Sequence, residues 1–432
     1  MELGSDSIYF QPQGHMPLSI LSDTLTIVLA GDRGSSLGSL TRDRAKAAVP
    51  FGGEYRMVDF VLSNCLHSGL RRVYVLTQYH AHSLHEHLRS SWGVFNPELG
   101  EFITAVPPQI HDGQRWYEGN SRAVAENLFL VRRSGAKQLL VVSGSHLYRM
   151  DYAALLEAHH ARKAQATIGY VEVAVGDAKA LDTLTLDDKQ RVTHLTPACE
   201  QDAAHISDQQ TAFASMGAMV LEVDFLTNAL EAGTATPRST GGLAAQMLPS
   251  LLDAHRVFGY RFGGRKGRVS QDRFFSSVPD IDAYFRANMT LLEPVPPLDL
   301  YQEDWPIWSQ SRRLPPARTV GSRNGNEGLF VNSIVSNGTV ITGGAVTRSV
   351  LSPKVRVNDS ATVENCILFD GVEVGEKVQL RNCIIDKYAR IPAGMQIGLN
   401  AREDAEKFEV TPKGVVVVPK GYPDVTPSAG DR

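Results

Sequence analysis

Residues 25–60 read LTIVLAGDRGSSLGSLTRDRAKAAVPFGGEYRMVDF, a continuous apolar run followed directly by a glycine-rich turn. An unbroken apolar run of this length is typical of a strand buried on both faces of a parallel sheet. A glycine-rich turn at the end of such a strand exposes backbone N–H groups that can hold a phosphate. An ordinary tight turn would have the same composition, so the surrounding sequence has to decide between the two.

The segments around this stretch alternate between strand-like and helix-like patterns. Strands are expected at residues 25–30, 72–77, 138–142 and 166–173, and helices at residues 57–67, 80–89 and 153–163. This alternation indicates an α/β, Rossmann-like domain whose sheet is mixed but mostly parallel, with helices on both faces. Ligands of such folds bind at the carboxyl ends of the strands. The segments after Ala30 and Val142 are therefore the first candidates for a site.

A different periodicity follows a proline-rich segment. Aliphatic residues recur at spacings of six: Val340 and Val346; Val357 and Val363; Val372, Val378 and Ile384; and, in another phase, Ile385, Ile391 and Ile397. A six-residue period is typical of a left-handed parallel β-helix, and an antiparallel sandwich with frequent turns is the alternative. The predicted organisation is an α/β domain over residues 1–293, an ordered linker over 294–325 and a β-helix over 326–432.

Composition argues against several classes of protein. The 432 residues carry a formal net charge of −4, whereas a dedicated nucleic-acid binder is usually basic. The 4 cysteines are too few and too scattered for a disulfide framework, and they form no zinc motif. The amino terminus lacks a signal-peptide pattern, and no apolar run approaches the roughly 18 residues of a membrane helix. We therefore expect a cytoplasmic protein without a membrane or nucleic-acid partner.

The motifs resemble those of one family. The run RAKAAVPFGG is followed in order by YRMVDF, LSNCLHSGLRRVYVLTQY, AHSLHEHLRSSWGVF, ASMGAMVLEVDFL and CIIDKYARIPAGMQIGLNAREDAEKF. Most of the chain is thereby similar to the bacterial ADP-glucose pyrophosphorylases, the glucose-1-phosphate adenylyltransferases of glycogen synthesis. The resemblance implies a nucleotidyltransferase domain joined to a left-handed β-helix, usually in a tetramer. It also implies the conversion of ATP and glucose 1-phosphate into ADP-glucose and pyrophosphate, with Mg²⁺ held by carboxylates.

Both metal positions depart from the family pattern. Where similar enzymes read Gly-Asp-His, this chain has Ser145 in the middle position, and where they read Trp-Arg-Asp-Val-Gly-Thr it has Ser277 at the aspartate. A neutral hydroxyl is a poor Mg²⁺ ligand compared with a carboxylate. Asp280 follows three residues later, but Pro279 restricts the backbone between them. The resemblance therefore predicts that no metal is bound productively and that the chain requires no cofactor of its own.

The phosphate-binding turn is altered as well. Similar enzymes begin it with two glycines and have an arginine shortly before its leucine, and this chain has Asp32 and Ser36 at those positions. Arg33 and Gly34 remain. A carboxylate beside a triphosphate repels it, and a Cβ can block close approach of the backbone. The alternative is that Asp32 turns outward to solvent.

The substrate positions persist only as remnants. The family's Gly-Phe-Gly and Phe-Val-Glu-Lys-Pro motifs are replaced by ALD and VTHLTPACE, so the glutamate and lysine that contact the sugar phosphate are missing. Gln246 replaces an aspartate. Tyr117 and Gly119 remain near the nucleotide, and Ser215 remains on the sugar-phosphate side. The resemblance thus predicts no intact catalytic residue.

Other positions match the family. Lys46 corresponds to the lysine that similar enzymes use for a sugar-phosphate activator at the interface between the two domains, although an ordinary surface lysine is the alternative. Arg56 and Asp59 match a structural pair just after it. We therefore expect Lys46 to bind a regulatory anion, either a sugar phosphate or another anionic effector.

Three hypotheses follow. The favoured one is a catalytically silent homologue that regulates an intact ADP-glucose pyrophosphorylase within a mixed oligomer. The second is an active adenylyltransferase with an altered site, and the third is a sensor of sugar phosphates or nucleotides that assembles with itself as a homotetramer. The sequence leaves open which effector binds and whether ATP or glucose 1-phosphate still does.

Overall fold

The computed structural model describes residues 18–108, 119–198, 211–231, 243–252, 254–264, 269, 274–309 and 312–423. Its helices are α1 Leu18–Ser22, α2 Met57–His67, α3 His82–Ser91, α4 Asn120–Glu126, α5 Leu128–Arg133, α6 Tyr152–Ala161, α7 Val175–Ala178, α8 Val223–Glu231, α9 Leu243–Met247, α10 Ile281–Met289 and α11 Ala401–Lys407. Within these ranges, no helix is long and apolar enough to cross a membrane.

The amino-terminal part of the chain builds a mixed sheet. The strands of this sheet and of two small two-stranded sheets, β2 with β3 and β7 with β13, are β1 Thr24–Ala30, β2 Pro50–Phe51, β3 Tyr55–Arg56, β4 Arg72–Thr77, β5 Phe102–Val106, β6 Gln138–Ser143, β7 Leu147–Tyr148, β8 Ala166–Ala174, β9 Thr183–Leu186, β10 Val192–Thr196, β11 Thr211–Glu222, β12 Val257–Arg261 and β13 Phe275–Ser276. The order is β10-β9-β11-β6-β1-β4-β5, and β8 pairs with β11 and β12. β1, β4, β5 and β6 are parallel, whereas β11 is antiparallel to β6.

The apolar run at residues 25–30 forms β1, which lies between β4 and β6 in the middle of the sheet. Val28 of β1 pairs with Val75 of β4 on one side and Val142 of β6 on the other. Leu25, Ile27 and Leu29 face one hydrophobic core of the sheet. Val28 and Ala30 face the core on the opposite side. Because both faces are covered by helices, the run needs no polar alternation, and the predicted α/β fold is confirmed.

The carboxyl-terminal part is a left-handed parallel β-helix. Its strands are β14 Arg318–Val320, β15 Leu329–Val331, β16 Ile334–Val335, β17 Val340–Thr342, β18 Ala345–Thr347, β19 Val350–Leu351, β20 Arg356–Val357, β21 Thr362–Glu364, β22 Ile367–Leu368, β23 Glu373–Val374, β24 Gln379–Arg381, β25 Cys383–Ile385, β26 Arg390–Ile391, β27 Gln396–Ile397, β28 Glu409–Val410 and β29 Val416–Val418. Three sheets of stacked parallel strands form its faces, and the antiparallel β28–β29 pair ends the stack.

The six-residue period is an average over coils of sixteen or seventeen residues, each with three faces. Val363, Leu380 and Ile397 stack in register on one face, seventeen residues apart. On another face Ile341, not the predicted Val340, points into the core, since Ile341 is 1% exposed and Val340 is only partly buried. The parallel pairing rules out the antiparallel sandwich.

The segment between the two domains is ordered where the structure describes it. The Trp305 side chain is fully buried and its Nε1–H donates to Asn64 Oδ1 at 3.1 Å. The first strand of the β-helix, β14, lies within the predicted linker, so the β-helix begins before the expected boundary at residue 326. The strand could not be recognised from the six-residue pattern because Arg318 and Thr319 are exposed.

A shared hydrophobic core joins the two domains. Leu37 and Leu40 from the segment after the glycine-rich turn, and Tyr284 from α10, pack in one cluster with Phe369 and Val417 of the β-helix. The β-helix therefore covers the underside of the segment that carries the turn.

Candidate functional site

A cavity of about 250 Å³ opens at the carboxyl ends of β1 and β6, where the fold predicts a ligand site. Its lining comprises Leu29, Asp32, Lys46, Asn120, Ser143, Ser145, His146, Ala180, Leu181, Asp182, Ala198, Ser215 and Gly217. The cavity brings together four of the predicted site residues: Asp32, Lys46, Ser145 and Ser215.

The glycine-rich turn folds back on itself. Gly34 has a φ of 67°, and its N–H donates to Asp32 Oδ1 at 3.1 Å. The Thr41 hydroxyl donates to the Gly34 carbonyl at 2.7 Å, which closes the turn. Arg33 lies over the Tyr79 ring, with its guanidinium carbon 5.3 Å from the ring centre. The Asp32 carboxylate therefore serves as a local cap at the edge of the cavity.

Ser36 lies outside the cavity lining. It is exposed on the 3-10 helix Ser35–Thr41 that follows the turn. The residue thus adds neither a cation nor an obstruction to the phosphate side of the cavity.

Lys46 lies in the cavity and not at the domain interface, which corrects its expected position. The side chain is 7% exposed and Nζ donates to the carbonyl of Ser277 at 3.3 Å. Burial lowers its pKa, and the negative charges of Asp32 and Asp280 partly offset that effect. The sequence placed Lys46 by motif alone, and the short 3-10 helix Lys46–Ala48 turns its side chain toward the sheet.

The segment after β6 contributes Ser145 and His146. Ser145 is buried, and its hydroxyl lies 3.4 Å from that of Ser143. The His146 Nδ1 lies 2.8 Å from the Met216 carbonyl, a geometry in which Nδ1–H donates to that oxygen. Burial lowers the pKa of His146 to about 4, so the ring is neutral near pH 7. Sequence reasoning assigned no role to His146, although it directly follows a predicted metal position.

The second metal position is occupied by backbone rather than by a carboxylate. Ser277 gives its carbonyl oxygen to Lys46 and is absent from the cavity lining. Asp280 caps α10 by accepting from the Ala283 N–H at 2.7 Å. This cap holds the Asp280 carboxylate at the start of the helix.

Gln246 is structural. It is 3% exposed, and its Oε1 accepts from the Ser121 N–H at 2.8 Å, tying α9 to the start of α4. Gly119, at a φ of 91°, is the residue that precedes α4. Tyr117 lies outside the described residues.

The wall opposite Lys46 contains the altered sugar-phosphate positions. Asp182 is 7% exposed, its Oδ1 accepts from the Ala198 N–H at 3.1 Å, and its carbonyl accepts from the Ser215 N–H at 2.8 Å. Ser215 thus reaches the cavity as expected, on β11. The wall therefore presents a carboxylate, a methyl group and a hydroxyl to a ligand.

The donor set does not fit a magnesium ion. Ser143 and Ser145 supply neutral hydroxyls. The two carboxylates of the lining are engaged with backbone, Asp32 with the Gly34 N–H and Asp182 with the Ala198 N–H. Mg²⁺ in proteins is held by one or more carboxylates in octahedral geometry. Across the described ranges, no group of three His, Cys, Asp or Glu side chains could hold a metal ion.

A separate cluster of charges lies where the two domains meet. Arg44 Nη2 donates to both carboxylate oxygens of Asp386, at 2.7 and 2.9 Å. Asp370 pairs with Arg312 and, at 2.8 Å, with Lys387 Nζ. The interface position expected for Lys46 is thus held by Arg44, two residues earlier, which the motif comparison passed over.

Arg56 completes this cluster. Its backbone N–H donates to Asp59 Oδ2 at 2.8 Å, so the expected Arg56–Asp59 pair is in contact. Burial lowers the pKa of Arg56, the charges of Asp59 and Asp370 partly offset that effect, and those of Arg312 and Arg44 add to it. Arg44, Arg56, Arg312 and Lys387 form what we call the interface cation cluster.

Two family models match the chain. The "Nucleotidyl transferase" model matches residues 25–293, which contain the cavity. The "GlmU-like, C-terminal hexapeptide" model matches residues 315–418, which contain the β-helix and β14. The two matches follow the division into two domains seen in the structure.

Relatives are similar along nearly the whole chain. Glucose-1-phosphate adenylyltransferase 2 of Vibrio cholerae is 48% identical over 402 residues, covering 93% of this chain and 99% of that protein. The protein of the same name from Vibrio vulnificus is 49% identical over 403 residues, covering 93% and 100%. Glucose-1-phosphate adenylyltransferase of Methylobacillus flagellatus is 38% identical over 405 residues, covering 93% and 94%. This chain therefore belongs to the glucose-1-phosphate adenylyltransferase family.

Proposed function

We propose that this chain is a catalytically silent member of its family that regulates an intact ADP-glucose pyrophosphorylase in glycogen synthesis. The observation that carries the proposal is the cavity lining, which has Ser145 at a metal position and Ala198 and Asp182 on the sugar-phosphate wall. Such a wall offers little to neutralise a triphosphate and a sugar phosphate at the same time.

The expected cost to catalysis is large. Adenylyl transfer depends on positioning and on stabilising the charge of the phosphates, because the protein contributes little covalent chemistry. Removing one such charge-stabilising group costs about 10²–10³ in kcat in other enzymes. Losing a metal and a sugar-phosphate cation together would reduce turnover below useful rates.

The interface cation cluster supports a regulatory role. Arg44 Nη1 is buried and, within the described residues, has no hydrogen-bond partner. Burial lowers the pKa of Lys387, the paired Asp370 partly offsets that effect, and the nearby charges of Arg56 and Arg44 add to it. An anion would relieve this crowding, and we propose that a phosphorylated effector binds here instead of at Lys46.

The β-helix offers a surface for a partner. Leu329, Phe330 and Val331 are 43%, 46% and 57% exposed on β15, the outermost strand of its five-stranded sheet. Three consecutive exposed apolar residues on an edge strand favour pairing with another chain. We propose that the β-helix of an intact pyrophosphorylase subunit covers this strand in a cytoplasmic hetero-oligomer.

The first test uses the chain alone. The purified protein is assayed for ADP-glucose formation with Mg²⁺ and with Mn²⁺, and no turnover above background is expected. Turnover that disappears when the metal is chelated would refute the silent role.

The second test uses co-expression with an intact pyrophosphorylase from the same genome. We expect a mixed oligomer with an altered response to sugar-phosphate activators. Phe330→Asp should prevent co-purification, whereas Leu399→Asp, which changes a residue 42% exposed elsewhere on the β-helix, should not. The sensor hypothesis would be favoured by two results together. The activator response of the intact pyrophosphorylase would be unchanged by this chain, and the chain alone would form a homotetramer whose melting temperature rises with sugar phosphates.

An active adenylyltransferase is the second candidate. The names of its relatives and the position of the Lys46 ammonium group in the cavity support it. In that case Lys46→Met should abolish the turnover measured in the first test, since the lysine would contact phosphate.

A further inference from the structure

A glutamate of the β-helix forms hydrogen bonds with the segment that follows the glycine-rich turn. Glu409 of β28 accepts hydrogen bonds at Oε2 from the Ser39 N–H at 2.9 Å and from the Ser39 hydroxyl at 2.6 Å. These residues are separated by 370 positions in the sequence. Hydrogen bonds to a carboxylate are stronger than neutral ones, so this contact holds the backbone as well as the side chain of Ser39.

The neighbouring glycine is shaped to this contact. Gly38 has a φ of 48° and interrupts the 3-10 helix Ser35–Thr41 with non-helical dihedral angles. A Cβ at Gly38 would lie 2.2 Å from Glu409 Oε1, closer than any real contact. The kink at Gly38 therefore brings the carboxylate against the backbone, and it turns the Ser39 N–H toward Glu409 rather than into the helix.

Apolar contacts hold the other side of the same segment. Leu37 and Leu40 are fully buried and share a core with Val415 and Val417, which lie in and beside β29. The antiparallel pair of β28 and β29 thus touches the segment from two directions. The valines of this hairpin pack against Leu37 and Leu40, and Glu409 accepts a hydrogen bond from the backbone of Ser39.

The same hairpin also contacts helix α10, which begins shortly after Ser277, the residue whose carbonyl accepts from Lys46. Thr411, which follows β28, donates from its hydroxyl to Asp282 Oδ1 at 2.5 Å. Asp282 lies in the first turn of α10, two residues after Asp280, and the Ser277 carbonyl that accepts from Lys46 lies five residues earlier in the chain. One element of the β-helix therefore bonds to both segments that flank Lys46.

We propose that the β28–β29 hairpin is a strap by which the β-helix positions the glycine-rich turn, with Glu409 as its positioning residue. The turn is closed locally by Asp32 and Thr41, and the strap fixes its orientation relative to α10 and hence the width of the cavity beside Lys46. The assignment goes beyond the proposed function, since it applies whether the cavity is silent or active.

The test is local hydrogen exchange on the full-length chain. Glu409→Ala should speed amide exchange in residues 35–41 by roughly tenfold or more, because two charge-assisted hydrogen bonds are lost from an exposed site. Residues 57–67 of α2 should exchange as in the parent protein, and the melting temperature should change little. Glu406→Ala, which removes an exposed glutamate from α11, is the matched control.

Two further variants separate positioning from general packing. Glu409→Gln keeps an acceptor oxygen for the Ser39 N–H and should restore most of the protection. Ser39→Ala combined with Glu409→Ala should add little to Glu409→Ala alone, because both remove the same contact. Unchanged exchange at residues 35–41 in Glu409→Ala, or equal acceleration throughout the chain, would overturn the proposal.

Discussion

The cavity and the domain interface both contain a buried cation, but the two cations have different hydrogen-bond partners. At the interface, Arg44 and Asp386 have side chains only 6% and 2% exposed and pair through two hydrogen bonds. In the cavity, Lys46 is similarly buried, but its Nζ donates to a neutral acceptor, the carbonyl of Ser277. The interface thus pairs its cation with a carboxylate. In the cavity, the two carboxylates of the lining, Asp32 and Asp182, instead accept hydrogen bonds from backbone N–H groups.

The difference has an energetic meaning. A buried charge is costly to desolvate, and pairing with good geometry repays that cost only where both partners are fixed. The interface supplies such partners from two domains, so its charges link the domains together. In the cavity, burial lowers the pKa of Lys46. A lowered pKa is typical of a group that contacts a ligand, or of one inherited from an ancestor in which it did.

The largest effect is expected from breaking the interface pair. Asp386→Ala should lower the free energy of unfolding by about 3–5 kcal/mol, because Arg44 would remain buried without its carboxylate. Urea unfolding followed by circular dichroism measures the loss. The matched control is Glu364→Ala, which removes the exposed Arg381–Glu364 pair, with both side chains 52% exposed, from the same β-helix.

The control should cost less than about 1 kcal/mol, since solvent already screens that pair. If Asp386→Ala and Glu364→Ala lowered the free energy of unfolding equally, burial would not make the interface pair more stabilising than an exposed pair. The contrast between interface and cavity would then fail.

The sequence predicts most helices and strands, but it does not predict which charges are paired at the interface and which lie in the cavity. Met57–His67 and Arg72–Thr77 have the predicted bounds, because apolar periodicity and β-branched content are local properties. The β-helix was recognisable because its coils repeat. Its start at Arg318 was not, since the exposed first strand lacks the aliphatic pattern.

Site positions depend on contacts between distant segments. The motif around Lys46 indicates that a lysine is important, but only the turn Lys46–Ala48 decides whether it faces the cavity or the β-helix. Arg44 donates to Asp386, which is 342 residues away in the sequence, and Ser39 donates to Glu409, which is 370 residues away. No spacing rule connects such pairs.

The next effect concerns the pH dependence of the cavity. His146 has a native pKa of about 4 against an ordinary value of 6.5, so between these values the unfolded chain binds more protons than the folded one. Stability should therefore fall as pH drops from 6.5 toward 4, by about 2–3 kcal/mol from this residue. His146→Asn keeps a donor for the Met216 carbonyl and does not titrate, so it should flatten this part of the profile in urea unfolding at several pH values. Parallel profiles for the two proteins would contradict the assignment.

A carboxylate introduced into the cavity should behave as an unpaired charge. Ser145→Asp should lower the free energy of unfolding by about 1–3 kcal/mol, because the group is buried and shares the cavity with Asp32. Mn²⁺ should recover part of that loss in the variant but not in the parent protein. Ser145→Asn, which is neutral and of the same shape, should show no metal response in thermal unfolding. A response of Ser145→Asn equal to that of the aspartate variant would show that the carboxylate is not the cause.

The smallest effect is expected at Lys46, and it bears most directly on the comparison. Lys46→Met should leave the free energy of unfolding unchanged or raise it by up to about 1 kcal/mol at pH 7, because burial already disfavours the ammonium group and methionine keeps much of its length. Arg44→Met, two residues earlier, should instead cost several kcal/mol, at or above about 3, because it strands Asp386. A loss above about 2 kcal/mol for Lys46→Met would mean that Asp32 and Asp280 hold the lysine as firmly as Asp386 holds Arg44. The cavity would then be a built electrostatic site, and an active or ligand-binding role would gain on the silent one.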